Sequence, residues 1–240
     1  MPELSFKVEK AEAAPFAAAP LLVFKLRISQ EAESVPIHSI ALRCQIRIDP
    51  ARRRYDAPAR ERLLDLFDTP DRWSQTLRPM LWTHTSALVP AFVDSIVTDL
   101  LVPCTFDFNV AATKYFYALE SDEVPLSLLF SGTIFHEIEG AGLQVAQIPW
   151  EKEADFRLPV AVWKEMMELY YPNSAWLCLR KDVFDRLYQF KSWHRLPTWE
   201  QAIVHLLPSQ NPETKPSAGN GPSIPPSLTA VVRRQEECHE

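Results

Sequence analysis

Residues 40–48, IALRCQIRI, are the stretch of sequence that decides the predicted fold. Apolar side chains occupy every second position here, at Ile40, Leu42, Cys44, Ile46 and Ile48. The residues between them are mostly polar or charged, and Arg43 is one example. Strict alternation over nine residues is typical of an antiparallel strand with one face in the core and the other in water. We therefore predict a half-buried strand at this position.

Similar alternation predicts further strands on both sides of this stretch. Upstream of it, Leu4, Phe6 and Val8 share one face of a first strand. The other predicted strands are LLVFKLRIS (residues 21–29), LWTHTSAL (81–88), AFVDSIV (91–97) and GLQVAQIPW (142–150). In addition, we predict a hairpin of TFDFNVAATKYFYAL (105–119) with PLSLLFSGTIFHE (125–137). The apolar face of residues 105–119 changes parity, which predicts a β-bulge near 111–114.

Helical spacing of apolar residues appears in two parts of the chain. After residue 48, Asp56 is a predicted helix N-cap, Pro58 lies in the first turn, and Pro70 ends the helix. In the C-terminal third, VAVWKEMMELYY (160–171) and KDVFDRLYQFK (181–191) have apolar stripes at helical spacing. Thr198 and Gln201 form a predicted capping box ahead of a further helix.

These elements predict an α+β fold. We expect an antiparallel β-sandwich or curved sheet of about seven to eight strands, with two to three C-terminal helices. A single domain should cover residues 1–207. From Pro208 the sequence becomes rich in proline, serine and glycine. Such a composition offers too little apolar surface to offset the entropy of ordering, so residues 208–240 are predicted to be a disordered tail.

Composition excludes several classes of function. The net charge of −6 argues against a general affinity for nucleic acid, which requires a positive field. No apolar run is long enough to span a bilayer, and the charged start MPELSFKVEK does not resemble a signal peptide. The four cysteines form no CxxC pair, which favours buried thiols in a reducing compartment. We therefore expect a cytoplasmic protein.

The sequence contains no recognisable catalytic or metal-binding motif. Five glycines in 240 residues are too few for a phosphate-binding loop. Ser131 precedes Gly132 but lacks the frame of a nucleophile elbow. Along a strand, His136 would point away from Glu137 and Glu139, so these three residues should not share a metal. We expect no catalytic residue, no cofactor and no bound metal.

Two groups of residues are candidates for a protein interface. Arg52, Arg53 and Arg54 form a basic run that could contact an acidic partner or a phosphate, or could simply be a solvated loop. The tryptophans that flank polar turns could anchor a partner or lie in the core: Trp150, Trp193 and Trp199.

The chain also resembles an uncharacterised bacterial family, a domain of unknown function, over roughly residues 4–207. The similar stretches are VPCTFDFNVAATKYFYAL (102–119), VPLSLLFSGTIFH (124–136), LQVAQIPWEKE (143–153) and LPVAVWKEMMELYYPNSAWLCLRKDVFDRLYQFK (158–191). Genes of that family often accompany those of nickel–iron hydrogenases. The resemblance implies an accessory role in the bacterial cytoplasm, and it carries no catalytic residues.

Three functions compete on these grounds. The first is a non-enzymatic accessory or scaffold protein that binds a protein partner, such as a hydrogenase subunit or maturation factor. The second is a carrier of a small molecule or peptide, with a cavity between sheet and helices lined by residues such as Trp163, Met166 and Phe130. The third is an enzyme whose polar residues are brought together only by the fold.

Overall fold

The computed structural model contains two antiparallel sheets, whose strands have the predicted alternation of apolar and polar residues. The structure describes residues 2–31, 35–104, 110–138, 140, 142–174, 177 and 179–207. Within them, eight strands form: β1 (Leu4–Ala13), β2 (Leu21–Gln30), β3 (Ile37–Ile48), β4 (Met80–Val89), β5 (Ser95–Pro103), β6 (Glu123–Ile138), β7 (Gly142–Gln147) and β8 (Glu153–Pro159). The predicted α+β class with antiparallel sheets is confirmed.

The strands pair in a three-stranded and a five-stranded sheet. The first sheet has the order β1-β2-β5, and the second has the order β4-β3-β6-β7. Strand β8 also pairs with β6. Because β7 pairs with residues 133–138 of β6 and β8 with residues 123–129, the two short strands follow one another along the same side of β6.

The helices lie between strands and at the C-terminal end of the described chain. They are α1 (Ala57–Arg62), α2 (Leu64–Phe67), α3 (Trp73–Thr76), α4 (Val110–Ala118), α5 (Val160–Tyr170), α6 (Lys181–Trp193) and α7 (Trp199–Leu206), with 3-10 turns at Pro50–Arg52 and Pro70–Arg72. As predicted, the Asp56 side chain caps α1 and Thr198 caps α7, accepting from the backbone N–H groups of Ala59 and Gln201.

Strand β3 has the two faces that its alternation predicts. Its residues Ile40, Leu42, Cys44, Ile46 and Ile48 are each at most 1% exposed. Arg43 lies between two of them and is exposed. Leu22, Phe24, Leu26 and Ile28 of β2 are likewise fully buried, as predicted. The core of the sandwich therefore consists of the inward faces of both sheets.

The predicted strand at 105–119 is wrong where the structure describes it. Residues 105–109, with the predicted inward Phe106 and Phe108, lie outside the described residues, and Val110–Ala118 form helix α4. The buried positions Ala112, Tyr115, Phe116 and Leu119 have the spacing of one helix face. The change of parity that predicted a bulge was therefore a helical period, and the described residues form neither the predicted hairpin nor the bulge.

Contacts divide the chain into two compact units, Met1–Trp176 and Leu177–Glu240. Both sheets and helices α1 to α5 belong to the first unit, and α6 and α7 belong to the second. The prediction of one domain over residues 1–207 stays a prediction. The predicted tail, 208–240, lies outside the described residues.

Gly132 is required where β6 crosses the backbone of β3. Its φ angle is +145°, and a Cβ atom at this position would lie 2.1 Å from the carbonyl oxygen of Ala41. That oxygen belongs to the neighbouring strand, so it cannot move aside without breaking the β3–β6 register. Only glycine fits here.

We expect Leu42→Ala to lower the free energy of unfolding by about 2–5 kcal/mol, because Leu42 is 1% exposed and the change leaves a cavity. Arg43→Ala should cost only a few tenths of a kcal/mol, since its side chain is exposed. Urea unfolding measures both values. If the arginine variant were the less stable one, the assignment of the two faces of β3 would be reversed.

A second stability test concerns Gly132. Gly132→Ala should be clearly more destabilising than Gly140→Ala, which has a positive φ angle but no atom within 4 Å of its added Cβ. Thermal unfolding by circular dichroism compares the two variants; Gly132→Ala adds a clash with the Ala41 carbonyl oxygen to the strain of a positive φ angle. Equal melting temperatures would show that β3 and β6 separate without cost at this point.

Candidate functional site

A depression lies on the outward face of the five-stranded sheet. Alternation directs Arg43 and Gln45 of β3 away from the core. The register places Arg43 between Ser86 of β4 and Ser131 of β6. A groove of about 580 Å³ results, lined by Arg43, Cys44, Gln45, His84, Thr85, Ser86, Leu129, Phe130, Ser131 and Trp150. We call this feature the outer groove.

Trp150 stands at the rim of the outer groove. It follows Pro149 in the short segment between β7 and β8. Its side chain is 89% exposed, an unusual position for the largest apolar side chain. Sequence reasoning selected Trp150 as an interface candidate, and the structure places it beside a groove.

The guanidinium of Arg43 is available for binding. Within the described part of the chain it has no hydrogen bond and no ion pair, and it is exposed. Around it, Gln45, Ser86 and Ser131 offer further hydrogen-bonding groups. The outer groove thus combines an unpaired cation, several polar groups and an exposed indole.

The predicted basic run Arg52–Arg54 does not form a single free cationic surface. Both terminal nitrogens of Arg52 donate to the Asp155 carboxylate, each at 2.7 Å. This bidentate pair lowers the pKa of Asp155 and raises the pKa of Arg52. Ser127 adds a hydroxyl that donates to Asp49 and to Asp155. Arg52 is therefore occupied within the molecule.

Arg53 also has partners within the molecule, which are backbone carbonyl groups. Its terminal nitrogens donate to the carbonyl oxygens of Glu123 and Ser121 at 2.8 and 2.7 Å. Only 8% of its side chain is exposed. Arg53 therefore ties the start of β6 to the loop after β3. Arg54 is exposed and has no hydrogen bond or ion pair among the described residues.

The other two candidate tryptophans belong to the second unit and differ from one another. Trp193, at the end of α6, is 79% exposed. Trp199 begins α7 and is half-buried. Its ring lies 5.2 Å from that of Phe184 and 6.1 Å from that of Tyr188, and the Lys191 ammonium lies over it at 5.4 Å. Trp199 holds the helix pair together, whereas Trp193 is open to solvent in the described structure.

The residues proposed to line an internal cavity do not line one together. Trp163 stacks on Phe116 with ring centroids 5.0 Å apart, and Phe130 stacks on Phe6 at 4.3 Å. Met166 is fully buried. Trp163 contributes to a depression beside α5, and Phe130 contributes to the outer groove. These side chains are part of the core packing.

Cys44 and Ser131 are potential nucleophiles that line the outer groove. Burial raises the pKa of the Cys44 thiol to about 12, so it stays protonated at neutral pH. Ser131 is in the interior of a strand, as predicted, and forms no hydrogen bond to a base in the described residues. No cluster of three metal-ligating side chains occurs in the part of the chain that the structure describes.

His136 has the strand geometry that sequence reasoning predicted. It is 4% exposed, while Glu137 is exposed on the opposite face; Glu139 lies outside the described residues. Burial lowers the pKa of His136, and its Nδ1 atom has no hydrogen-bond partner. A buried, neutral imidazole between strands fits a place in the core.

The sequence alone did not predict most of the residues that line the outer groove. Arg43 and Gln45 could be assigned to the outward face of a strand from period two alone. Their neighbours His84, Ser86 and Ser131 come from strands far apart in sequence. Only the pairing of β3 with β4 and β6 brings these side chains together.

The different surroundings of two adjacent arginines give a direct test. We expect Arg53→Ala to lower the free energy of unfolding by about 1–3 kcal/mol, because two carbonyl groups lose their donor. Arg54→Ala, the matched control, should change it by a few tenths of a kcal/mol. Guanidinium chloride unfolding measures both. Equal effects would mean that Arg53 is as solvated as its neighbour.

Comparison with known proteins assigns a family but no activity. No curated protein matches the chain. None of the helices in the described residues has the length and apolar character of a membrane-spanning helix. Among solved structures, a selenomethionine-labelled β-glucosidase from Kluyveromyces marxianus is 7% identical over 65% of this chain, with a TM-score of 0.26 that carries no argument. The match spans 15% of the β-glucosidase chain.

A family model describes far more of the sequence. It matches residues 1–215, nearly the whole length of the chain, and its description is a family of unknown function, DUF6084. The chain therefore belongs to the DUF6084 family, in keeping with the expectation of an uncharacterised domain.

Proposed function

We propose that this protein is a non-enzymatic accessory or scaffold protein of the bacterial cytoplasm that binds another protein through the outer groove. The observation that carries the proposal is the exposed Trp150 at the rim of a groove that contains Arg43, a cation that pairs with none of the described residues. Tryptophan and arginine are the side chains that most often dominate the binding energy of protein interfaces.

Trp150 supplies the apolar part of the proposed contact. Trp150 is 89% exposed, so most of its apolar surface stays in contact with water in the folded chain. Covering it with a partner removes a large apolar area from water, and its indole N–H can still donate a hydrogen bond at the edge of the contact. Trp150 is therefore the proposed anchor.

Arg43 supplies the charge. Because no group of the described chain pairs with it, a partner carboxylate does not have to displace an internal ion pair. Arg52 and Arg53, in contrast, are committed to Asp155 and to backbone carbonyls. The partner should therefore present an acidic side chain next to an apolar pocket.

We infer the nature of the partner from the family resemblance. The family that the sequence resembles is one whose genes often accompany those of nickel–iron hydrogenases, so a hydrogenase subunit or maturation factor is the proposed partner. This part of the proposal rests on the resemblance and not on the geometry of the groove. It directs the experiment towards a defined set of candidate proteins.

A carrier function is the second candidate, and one observation favours it. The outer groove, at about 580 Å³, is within the size range of small-molecule sites, and polar groups converge on it. A ligand there would be an anionic molecule with an apolar or aromatic part, held by Arg43 and Trp150. Unlike a protein partner, it would leave the mass of the purified complex almost unchanged.

Affinity purification from the native host, followed by mass spectrometry, identifies the partner, and titration calorimetry then measures its affinity. We expect Trp150→Ala and Arg43→Glu each to weaken binding at least about tenfold, as loss of a hot-spot residue does. Both variants should retain the wild-type melting temperature, because both side chains are exposed.

Trp193→Ala and Arg54→Glu are the matched controls, since they alter the same residue types at other exposed positions. They should bind the partner as the wild type does. If the controls weaken binding and the groove variants do not, the interface lies elsewhere. Native mass spectrometry that finds a stoichiometric small anion in the wild type, lost in Arg43→Glu, would support the carrier function instead.

A further inference from the structure

Helices α6 and α7 of the second unit leave most of their apolar side chains in contact with water. Among the described residues from 177 onwards, Ala202 alone is buried. Large apolar side chains of this range are 62–79% exposed at four positions: Leu177, Trp193, Val204 and Leu207. An amphipathic helix is normally stabilised by burying its apolar stripe against another element. The apolar surface of this helix pair is therefore expected to be covered in the functional protein.

One face of α6 forms an apolar groove with α7. Val183, Leu187 and Phe190 follow one another at helical spacing, so they share this face. The groove has a volume of about 420 Å³. Besides these three side chains, it is lined by Leu206 of α7 and by Arg186 and Trp193 of α6. We call this feature the helix-pair groove.

Basic side chains are in excess in the same part of the chain. Residues 177–207 contain five lysine or arginine and three aspartate or glutamate residues, although the whole chain has a net charge of −6. Asp182 and Asp185 are already paired, with Arg180 at 2.9 Å and Lys181 at 3.0 Å. Arg186 is exposed in the groove, and its side chain has no hydrogen bond or ion pair with any described residue. The helix pair thus combines exposed apolar surface with unpaired positive charge.

We propose that the helix pair binds the surface of an anionic lipid bilayer. In this arrangement Val183, Leu187 and Phe190 contact the acyl chains just below the headgroups, and Arg186 contacts lipid phosphate. Basic amphipathic helices bind at this depth, where apolar burial and attraction to anionic headgroups act together. Trp193, at the end of α6, takes the position of an interfacial tryptophan, because its ring is apolar and its N–H can donate to a headgroup.

Two observations favour a bilayer over a protein partner. First, an acidic chain approaches an anionic surface only through a local excess of positive charge, and this excess coincides with the exposed apolar side chains. Second, the exposed apolar surface extends beyond the helix-pair groove, to Val204 and Leu207. The binding energy of a protein interface is concentrated in a compact central cluster. A bilayer, in contrast, covers a broad surface and requires no specific partner for each side chain.

A second copy of the chain fits this surface less well than a bilayer does. Two helix pairs that met through their grooves would bring the unpaired Arg186 of each copy to one apolar contact. Like charges placed together in an interface oppose association. Anionic headgroups neutralise the same guanidinium.

The inference is independent of the proposed partner binding. The outer groove belongs to the first unit, Met1–Trp176, and the helix pair belongs to the second. Trp150 and Trp193 therefore serve as controls for one another. Trp193→Ala should lose binding to the bilayer and keep the protein partner, and Trp150→Ala should do the reverse.

Co-sedimentation of the full chain with lipid vesicles tests the proposal. We expect the wild type to sediment with vesicles of equimolar phosphatidylglycerol and phosphatidylcholine, and to stay in solution with vesicles of phosphatidylcholine alone. Added salt should release the protein, because screening weakens the attraction between exposed charges. Arg186→Glu and Trp193→Ala should each weaken binding at least about tenfold, since one reverses a surface charge and the other removes an apolar anchor.

Trp150→Ala and Arg54→Glu are the matched controls, because they alter the same residue types in the first unit. They should bind the anionic vesicles as the wild type does. Arg186→Lys, which keeps the positive charge, should also bind them. Far-UV circular dichroism establishes that every variant is folded.

A wild type that stays in solution with the anionic vesicles would overturn the proposal. Equal binding to the neutral vesicles would overturn it too, and so would controls that lose as much binding as the helix-pair variants. Light scattering that finds a dimer, converted to single chains by Trp193→Ala, would show that a second copy covers the helix pair instead. A purified protein partner that Trp193→Ala loses, with no binding to vesicles, would assign the surface to that protein.

Discussion

The pairing of β6 with its neighbours is the interaction on which the rest of the structure depends. This 16-residue strand bonds to β3 along one side and to β7 and β8, in succession, along the other. Close approach to β3 is possible because Gly132 has no Cβ opposite the carbonyl of Ala41. Register then follows, since a shift of one residue would turn the buried faces of both strands outward.

That register also creates the surface to which we assign function. Strand β6 places Ser131 beside Arg43, and the segment between β7 and β8 carries Trp150 to the same place. A single long strand thus determines the outer groove.

Arginine residues of this chain have very different surroundings in the structure. Arg52, Arg53 and Arg54 are consecutive, yet the first pairs with Asp155, the second binds backbone carbonyls, and the third is free among the described residues. Arg43 lies outside this run, lines the outer groove with the exposed Trp150, and has no partner among the described residues. The clustering of arginines in the sequence therefore did not indicate which guanidinium groups are available to bind a partner.

Period two by itself predicted β1 to β4, β6 and β7 and their buried faces, because alternation depends only on which local positions a strand directs inward. It did not predict β8, and β5 begins four residues later than the strand predicted at 91–97. It also sufficed to place Arg43 on the outer face of β3. The helix at Val110–Ala118 was misassigned, since short apolar runs with tyrosine and phenylalanine suit either period until their neighbours are known. Only the tertiary structure decided which strands meet, and hence which side chains line the outer groove. Strand pairing places Arg43 beside Ser131, which is far from it in sequence. The local sequence pattern around either residue does not indicate which distant strand will pair with it.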